Sequence, residues 1–172
     1  METKLTEYVI EQAEYPVYPR LKSVEDFVDG KGNWDNEAYR QAEEDYLRAL
    51  ENLGKGTGTA TAPLLDFADE TTGRVFLSSR EESVVYSPVS LYVAMAMLAE
   101  LTDGPSRAEV LHALGTEDLQ AVRESVHQLW ADSYCDNGVT VQRMGSSVWL
   151  NEQVEFHREA LQTLAEYYYA SG

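Results

Sequence analysis

Residues 84–101, VVYSPVSLYVAMAMLAEL, limit the fold more than any other stretch of the chain. Val84, Val85 and Tyr86 are β-branched or aromatic and predict a short strand. Ser87-Pro88 then reads as a helix start. The serine hydroxyl is suited to accept from a free amide, and proline suits the first helical position, where no N–H partner is needed. Over residues 89–101 the helix has almost no polar face. A helix that is apolar all round is buried on every side or spans a membrane. This one is shorter than the roughly 20 residues a crossing needs. It is therefore expected as a central helix with other elements wrapped around it.

The wrapping must come from the same 172 residues, 44% of them hydrophobic, enough for one domain with a core and too many for a disordered chain. Acidic residues number 30 against 13 basic ones, a net charge of −17 spread along the whole length. Phosphate backbones and anionic lipid surfaces need basic patches, so neither nucleic acid nor membrane is expected as a partner. Cys135 is the single cysteine, which excludes an internal disulfide and fits a reducing compartment. The first residues, METKLTEYVIEQAEY, show no basic segment followed by an apolar run, so no signal peptide is visible. A cytoplasmic chain and an exported one whose leader lies elsewhere both fit.

Two parts are expected, an N-terminal appendage at 1–58 and a main body at 59–172. In the first, Tyr8, Val9 and Ile10 suit a short strand or a helical turn. Tyr15-Pro16-Val17-Tyr18-Pro19 favours extended backbone that packs its tyrosines across a domain surface, with a docking motif as the alternative. An amphipathic helix follows at 35–53, its apolar residues Tyr39, Ala42, Tyr46, Ala49, Leu50 and Leu53 at helical steps. Asp35 or Asn36 caps it and Gly54 closes it. The run GKGTGTATAP lacks the Gly-Lys-Ser/Thr of a phosphate loop and reads as a linker.

In the main body a helix is predicted at 63–79 through Leu64, Phe67, Ala68, Thr71 and Val75, followed by a polar turn at 80–83. After the central helix, Ser106 and Glu109 suggest a capping box for a short helix carrying Val110, Leu111 and Leu114, closed by Gly115. Thr116 is expected to cap the next helix, whose buried stripe is Leu119, Val122, Val126, Leu129 and Trp130. Asp136-Asn137-Gly138 reads as a turn, 139–150 as a strand, and 156–169 as a last helix with Phe156, Ala160, Leu161, Leu164 and Tyr168 inward.

Enzymatic chemistry finds little support. His112, His127 and His157 fall at polar or boundary positions of predicted helices, without a cysteine or second histidine at metal-ligand spacing. They read as surface histidines, and no catalytic residue, metal or cofactor is expected. Cys135 has no basic neighbour to activate it. Acidic pairs such as Glu81-Glu82 read as solvated surface, and none of the hydrolase, zinc-protease or dinucleotide motifs occurs.

Two stretches carry a family resemblance. The first is Val84 through Leu91 with Ala94-Met95-Ala96-Met97-Leu98, Gly104 and Ser106-Arg107-Ala108-Glu109-Val110. It resembles strand 6B, helix B and helix C of the serpins. The second is Gly145-Ser146-Ser147-Val148-Trp149-Leu150 followed by Phe156, Leu161, Leu164 and Tyr167-Tyr168, similar to serpin strand 2A and helix E. By the same resemblance 63–79 is helix A and 116–132 helix D. Ser83, Leu101 and Ser146 depart from the usual Asn, Gly and Asn. The implied fold class is α+β, the mostly helical N-terminal half of a serpin fold (helices A–E with strands 6B and 2A), preceded by a helical appendage.

The resemblance implies a fragment of a serpin-type inhibitor of serine or cysteine proteases, whose parent acts by inserting a reactive-centre loop into its central sheet. That loop and the strands receiving it are absent from this chain, so the fragment alone is not expected to inhibit. Ser87 and Ser90 are carried over as residues of the shutter region, where that sheet opens. A non-inhibitory binding or scaffolding protein on a truncated serpin fold is the alternative. Half a serpin leaves its central helix uncovered and strand edges open, so self-association or pairing with the missing C-terminal half is expected.

Overall fold

The computed structural model describes residues 9–55, 61–78, 83–151, 153 and 155–172. The polar turn at 80–82, the Glu81-Glu82 pair and the linker residues 56–60 lie outside them, as does Tyr8. Six helices dominate: α1 (Asn36–Asn52), α2 (Thr61–Ser78), α3 (Pro88–Leu101), α4 (Gly104–Ala113), α5 (Leu119–Ser133) and α6 (Arg158–Tyr168). The described strands have two residues each: β1 (Cys135–Asp136), β2 (Val141–Gln142), β3 (Ser146–Ser147) and β4 (Ala170–Ser171). The α+β class, largely helical, is the one expected.

α3 is the hub, touching α2, α4, α5 and α6. Its start is as expected: Pro88 opens it and the Ser87 side chain accepts from the Ser90 amide at 3.2 Å. Ala96 and Ala99 are fully buried, small enough to admit neighbouring helices, while Tyr92 meets Phe67 of α2 edge-on with ring centroids 5.4 Å apart. Leu111, Leu114, Val122, Val126, Leu161 and Leu164 complete the core. The expectation of burial on every side fails. Leu91, Leu98 and Leu101 are exposed, because no described element lies over that face.

The strand expected at 84–86 does not form. Its residues find no ladder partner, and Tyr86 instead donates its hydroxyl to Thr71 Oγ1 at 2.5 Å. The strand expected at 139–150 shrinks to β2 and β3 for the same reason. β2 pairs antiparallel with β1 across a turn in which Asn137 Oδ1 accepts from the amides of Val139 and Thr140. β3 pairs in parallel with β4, Ser146 opposite Ala170 and Ser147 opposite Ser171. In the turn between β1 and β2, Val139 is 94% exposed.

Helix starts shift where a better cap competes. α4 begins at Gly104, where Asp103 accepts from the Gly104 amide at 2.7 Å, so Ser106 falls inside the first turn and the expected capping box has no role there. Asp118 caps α5 by accepting from the amides of Gln120 and Ala121, while Thr116 accepts from Asp118. A carboxylate is the stronger acceptor at the positive helix end. Phe156, expected inward, is 41% exposed, because α6 begins only at Arg158.

The sequence sets residues 1–58 apart from the body, and their described part touches it closely. α1 itself buries no residue completely. Its end is anchored to α5: Gln128 Nε2 donates to the Gly54 carbonyl at 2.6 Å, and Lys55 Nζ donates to the Asp132 carbonyl at 3.2 Å. Gly54 sits at φ +81°, and a Cβ there would lie 3.5 Å from Ala131 Cβ. Glycine alone meets that conformation without strain. Upstream, the tyrosine–proline segment lies extended across the ends of α5 and α6.

Candidate functional site

The open face of α3 is one wall of an apolar groove of about 540 Å³. Val93, Ala94, Met97 and Leu98 form that wall, Met144 to Val148 form the other, and Tyr168 lies at the base. The fold makes this space by two short steps. α3 keeps its apolar residues on the outer face as well as the inner one. The segment carrying β3 is held away from it by pairing with β4.

Ser90 lines the same groove, and Ser87 lies one turn before it. The structure brings the two together: Ser90 Oγ donates to Ser87 Oγ at 2.9 Å, and both residues are exposed. Their hydroxyls thus close the start of α3, with the edge of the pair open to a further hydrogen-bonding group.

Beneath the groove lies a polar cluster that sequence reading missed. Glu100 is 8% exposed and accepts two bonds from Arg123, at 2.6 Å from Nε and 2.7 Å from Nη2. Tyr168 donates its hydroxyl to Glu100 Oε1 at 2.9 Å. The pair is bidentate, the geometry in which guanidinium and carboxylate bind best. Its hydrogen bond to Glu100 keeps the Arg123 guanidinium protonated beyond its ordinary range. Burial first, and the neighbouring carboxylate second, push the Tyr168 hydroxyl far above the usual tyrosine value. Three helices are tied together here, because Glu100 is on α3, Arg123 on α5 and Tyr168 on α6. The sequence signal was a single acid at the end of an otherwise apolar helix.

A second cluster closes the opposite side of α5. Trp130 stacks on Tyr169 with centroids 3.5 Å apart and on Tyr134 at 4.6 Å. Tyr15 from the N-terminal segment covers Trp130 at 5.8 Å and Tyr169 at 5.6 Å. Tyr18 packs edge-on against Tyr134 at 5.5 Å, so the segment packs its tyrosines on the body as its sequence suggested. Burial, together with Cys135 and Tyr46, raises the Tyr18 hydroxyl to about 12. Tyr169 reaches this cluster by taking a left-handed turn at φ 49°, which also redirects the chain from α6 into β4.

His127 departs from the surface reading. It is partly buried, stacks on Tyr169 at 5.8 Å, and its Nδ1 has no hydrogen-bond partner. Burial pushes its pKa down, against the opposing pull of Glu166. His112 and His157 are exposed as expected. Cys135 is a free thiol whose Sγ lies 3.8 Å from the Thr140 carbonyl. Among the described residues no group of three or more His, Cys, Asp or Glu side chains is arranged to hold a metal ion, and no helix is long and apolar enough to cross a membrane.

Comparison with known proteins gives the family. The family described as Serpin (serine protease inhibitor) matches residues 63–171. Corticosteroid-binding globulin of Saimiri sciureus is 34% identical over 110 residues, covering 60% of this chain and 26% of that protein. The chain thus matches about a quarter of the relative's length. No solved structure matches. The open helix α3, the β3 segment, helices α4 to α6 and all but the first two residues of α2 fall inside the matched region, and the chain belongs to the serpin family.

Proposed function

We propose that residues 59–172 are the N-terminal portion of a serpin domain that traps a serine or cysteine protease by loop insertion, with 1–58 as an addition in front of it. The observation that carries this is the apolar groove on α3, inside the family match and headed by Ser87 and Ser90. An uncovered apolar groove of that size on the most buried helix is a receiving surface. In this reading the sheet strands of the remaining portion cover it, and the Ser87–Ser90 pair supplies hydrogen bonds where that sheet opens. Without the remaining portion a second copy is the substitute occupant, and this chain alone does not trap a protease.

The test is to incubate this chain, and the longest natural product found by intact mass spectrometry, with trypsin-like and subtilisin-like proteases. A covalent complex, stable to SDS, is expected with the longer product and not with the 172-residue chain. Such a complex formed by the chain itself overturns the proposal. A compact, monodisperse monomer in light scattering overturns the self-association arm.

A second reading is favoured by the relative, whose name describes a corticosteroid binder rather than an inhibitor. Here the serpin scaffold is a binding protein, and the apolar walls beside α3 suit a hydrophobic ligand. Equilibrium dialysis against a labelled corticosteroid separates the two. Saturable binding by the longer product, with no protease complex, selects the binding reading.

A further inference from the structure

We propose that residues 10–20, which lie outside the serpin match, are a latch that holds the β3–β4 wall of the groove in place. The segment grips that wall from both of its strands. On the β4 side the Glu11 carbonyl accepts from the Gly172 amide at 2.9 Å, and the Gly172 carbonyl accepts from Ile10 and Glu11. The Ala13 amide donates to Ser171 Oγ at 3.2 Å. On the β3 side the Tyr15 hydroxyl donates to the Met144 carbonyl at 3.3 Å, and the Arg143 guanidinium lies 5.6 Å over the Tyr15 ring. Arg20 and Arg143 meet on one carboxylate, Asp136, at 3.2 Å and 2.7 Å.

The wall needs such a grip. β3 and β4 have two residues each, joined beyond them by the Val148 amide donating to the Ser171 carbonyl. Two-stranded pairs this short are not stable by themselves. Tyr15 supplies what the ladder lacks: its ring stacks on Trp130 and Tyr169, rooted in α5 and at the end of α6, while its hydroxyl reaches the residue that begins the groove wall. Met144 touches both sides, lining the groove and packing on the aromatic cluster. The position of the groove wall is therefore set by a segment the family match does not include.

Hydrogen exchange read by mass spectrometry on the full chain tests this, with helix α4 as the internal reference. Tyr15→Ala is expected to speed exchange over 144–148 and 168–172 about tenfold while α4 is unchanged, and Tyr15→Phe, which keeps the stack and loses the hydroxyl, about threefold. Val17→Ala, at a side chain 93% exposed, is the control and changes nothing. Unchanged exchange over 144–148 in Tyr15→Ala overturns the latch. So does equal acceleration of α4 in both Tyr15 variants, which reports general destabilisation instead.

Discussion

Two apolar surfaces flank α5, and the chain treats them differently. The cluster around Trp130 is sealed by a segment of the same chain, whose proline-spaced tyrosines lie across it and whose backbone groups find partners at Gly172 and Ser171. The groove beside α3 is also lined mainly by apolar residues, with Ser90, Ser146 and Ser147 among them, and no described residue covers it. The difference is in what can cover each. The Trp130 side is flat and aromatic, and three stacked rings are a finished surface. The α3 side lies beside β3, whose unpaired edge accepts only another strand or a partner with free hydrogen-bonding groups. The closed surface contributes stability, and the open one is the receiving surface of the proposed function.

The comparison breaks first at Trp130. Trp130→Ala, which removes the centre of the closed cluster, is expected to lower stability in urea unfolding by about 3–5 kcal/mol. A loss no larger than that of a surface substitution means that the aromatic stack is not packed as described. Next is the polar tie under the open groove. Glu100→Ala leaves the Arg123 guanidinium half-buried without its carboxylate and should cost about 3 kcal/mol in the same experiment. Glu100→Leu with Arg123→Met and Tyr168→Phe should recover much of it, because an apolar set that leaves no buried polar group unpaired carries no desolvation penalty.

The same site sets an alkaline limit. The native chain holds the Tyr168 proton more tightly than the unfolded chain, whose tyrosines ionise near 10. Stability from this group is therefore full below about pH 10 and falls as pH rises beyond it. Melting temperatures measured from pH 8 to 11 should decline along the upper part of the range, and Tyr168→Phe should flatten that decline. Melting that is independent of pH over this range would remove Tyr168 from the buried network.

Smaller effects sharpen the open side. Ser87→Ala removes the cap of α3 and should cost about 1 kcal/mol. Leu98→Lys, on the exposed wall of the groove, should change stability by no more than about 0.5 kcal/mol. It should nevertheless reduce self-association in sedimentation velocity. A Leu98 variant that destabilises strongly would mean that the groove is part of the core.

Much of the helical frame was legible because it rests on local rules. Asp35 caps α1 and Ser87 caps α3, and the stripe Val122, Val126 and Trp130 buries as its spacing says. Starts were misplaced where two caps compete within a few residues, as Asp103 does with Ser106 and Asp118 with Thr116. Ser87 and Ser90 were singled out by resemblance, and one turn of helix brings their hydroxyls together. Strands were least legible. Residues 84–86 have strand composition and form none, since β structure needs a partner that composition does not reveal.

The sequence by itself determined the apolar helix at the centre, the caps of α1 and α3, the acidic balance and the family. Each follows from residues within a few positions of one another, or from an order of motifs along the chain. Only the tertiary structure decided which side of α3 stays open, that Glu100 meets Arg123 and Tyr168, and that Tyr15 closes on Trp130. These contacts join residues 23 to 115 positions apart, beyond the reach of any local pattern. They form because buried charge and aromatic surface must each find a partner, and the packed helices determine which ones are within reach.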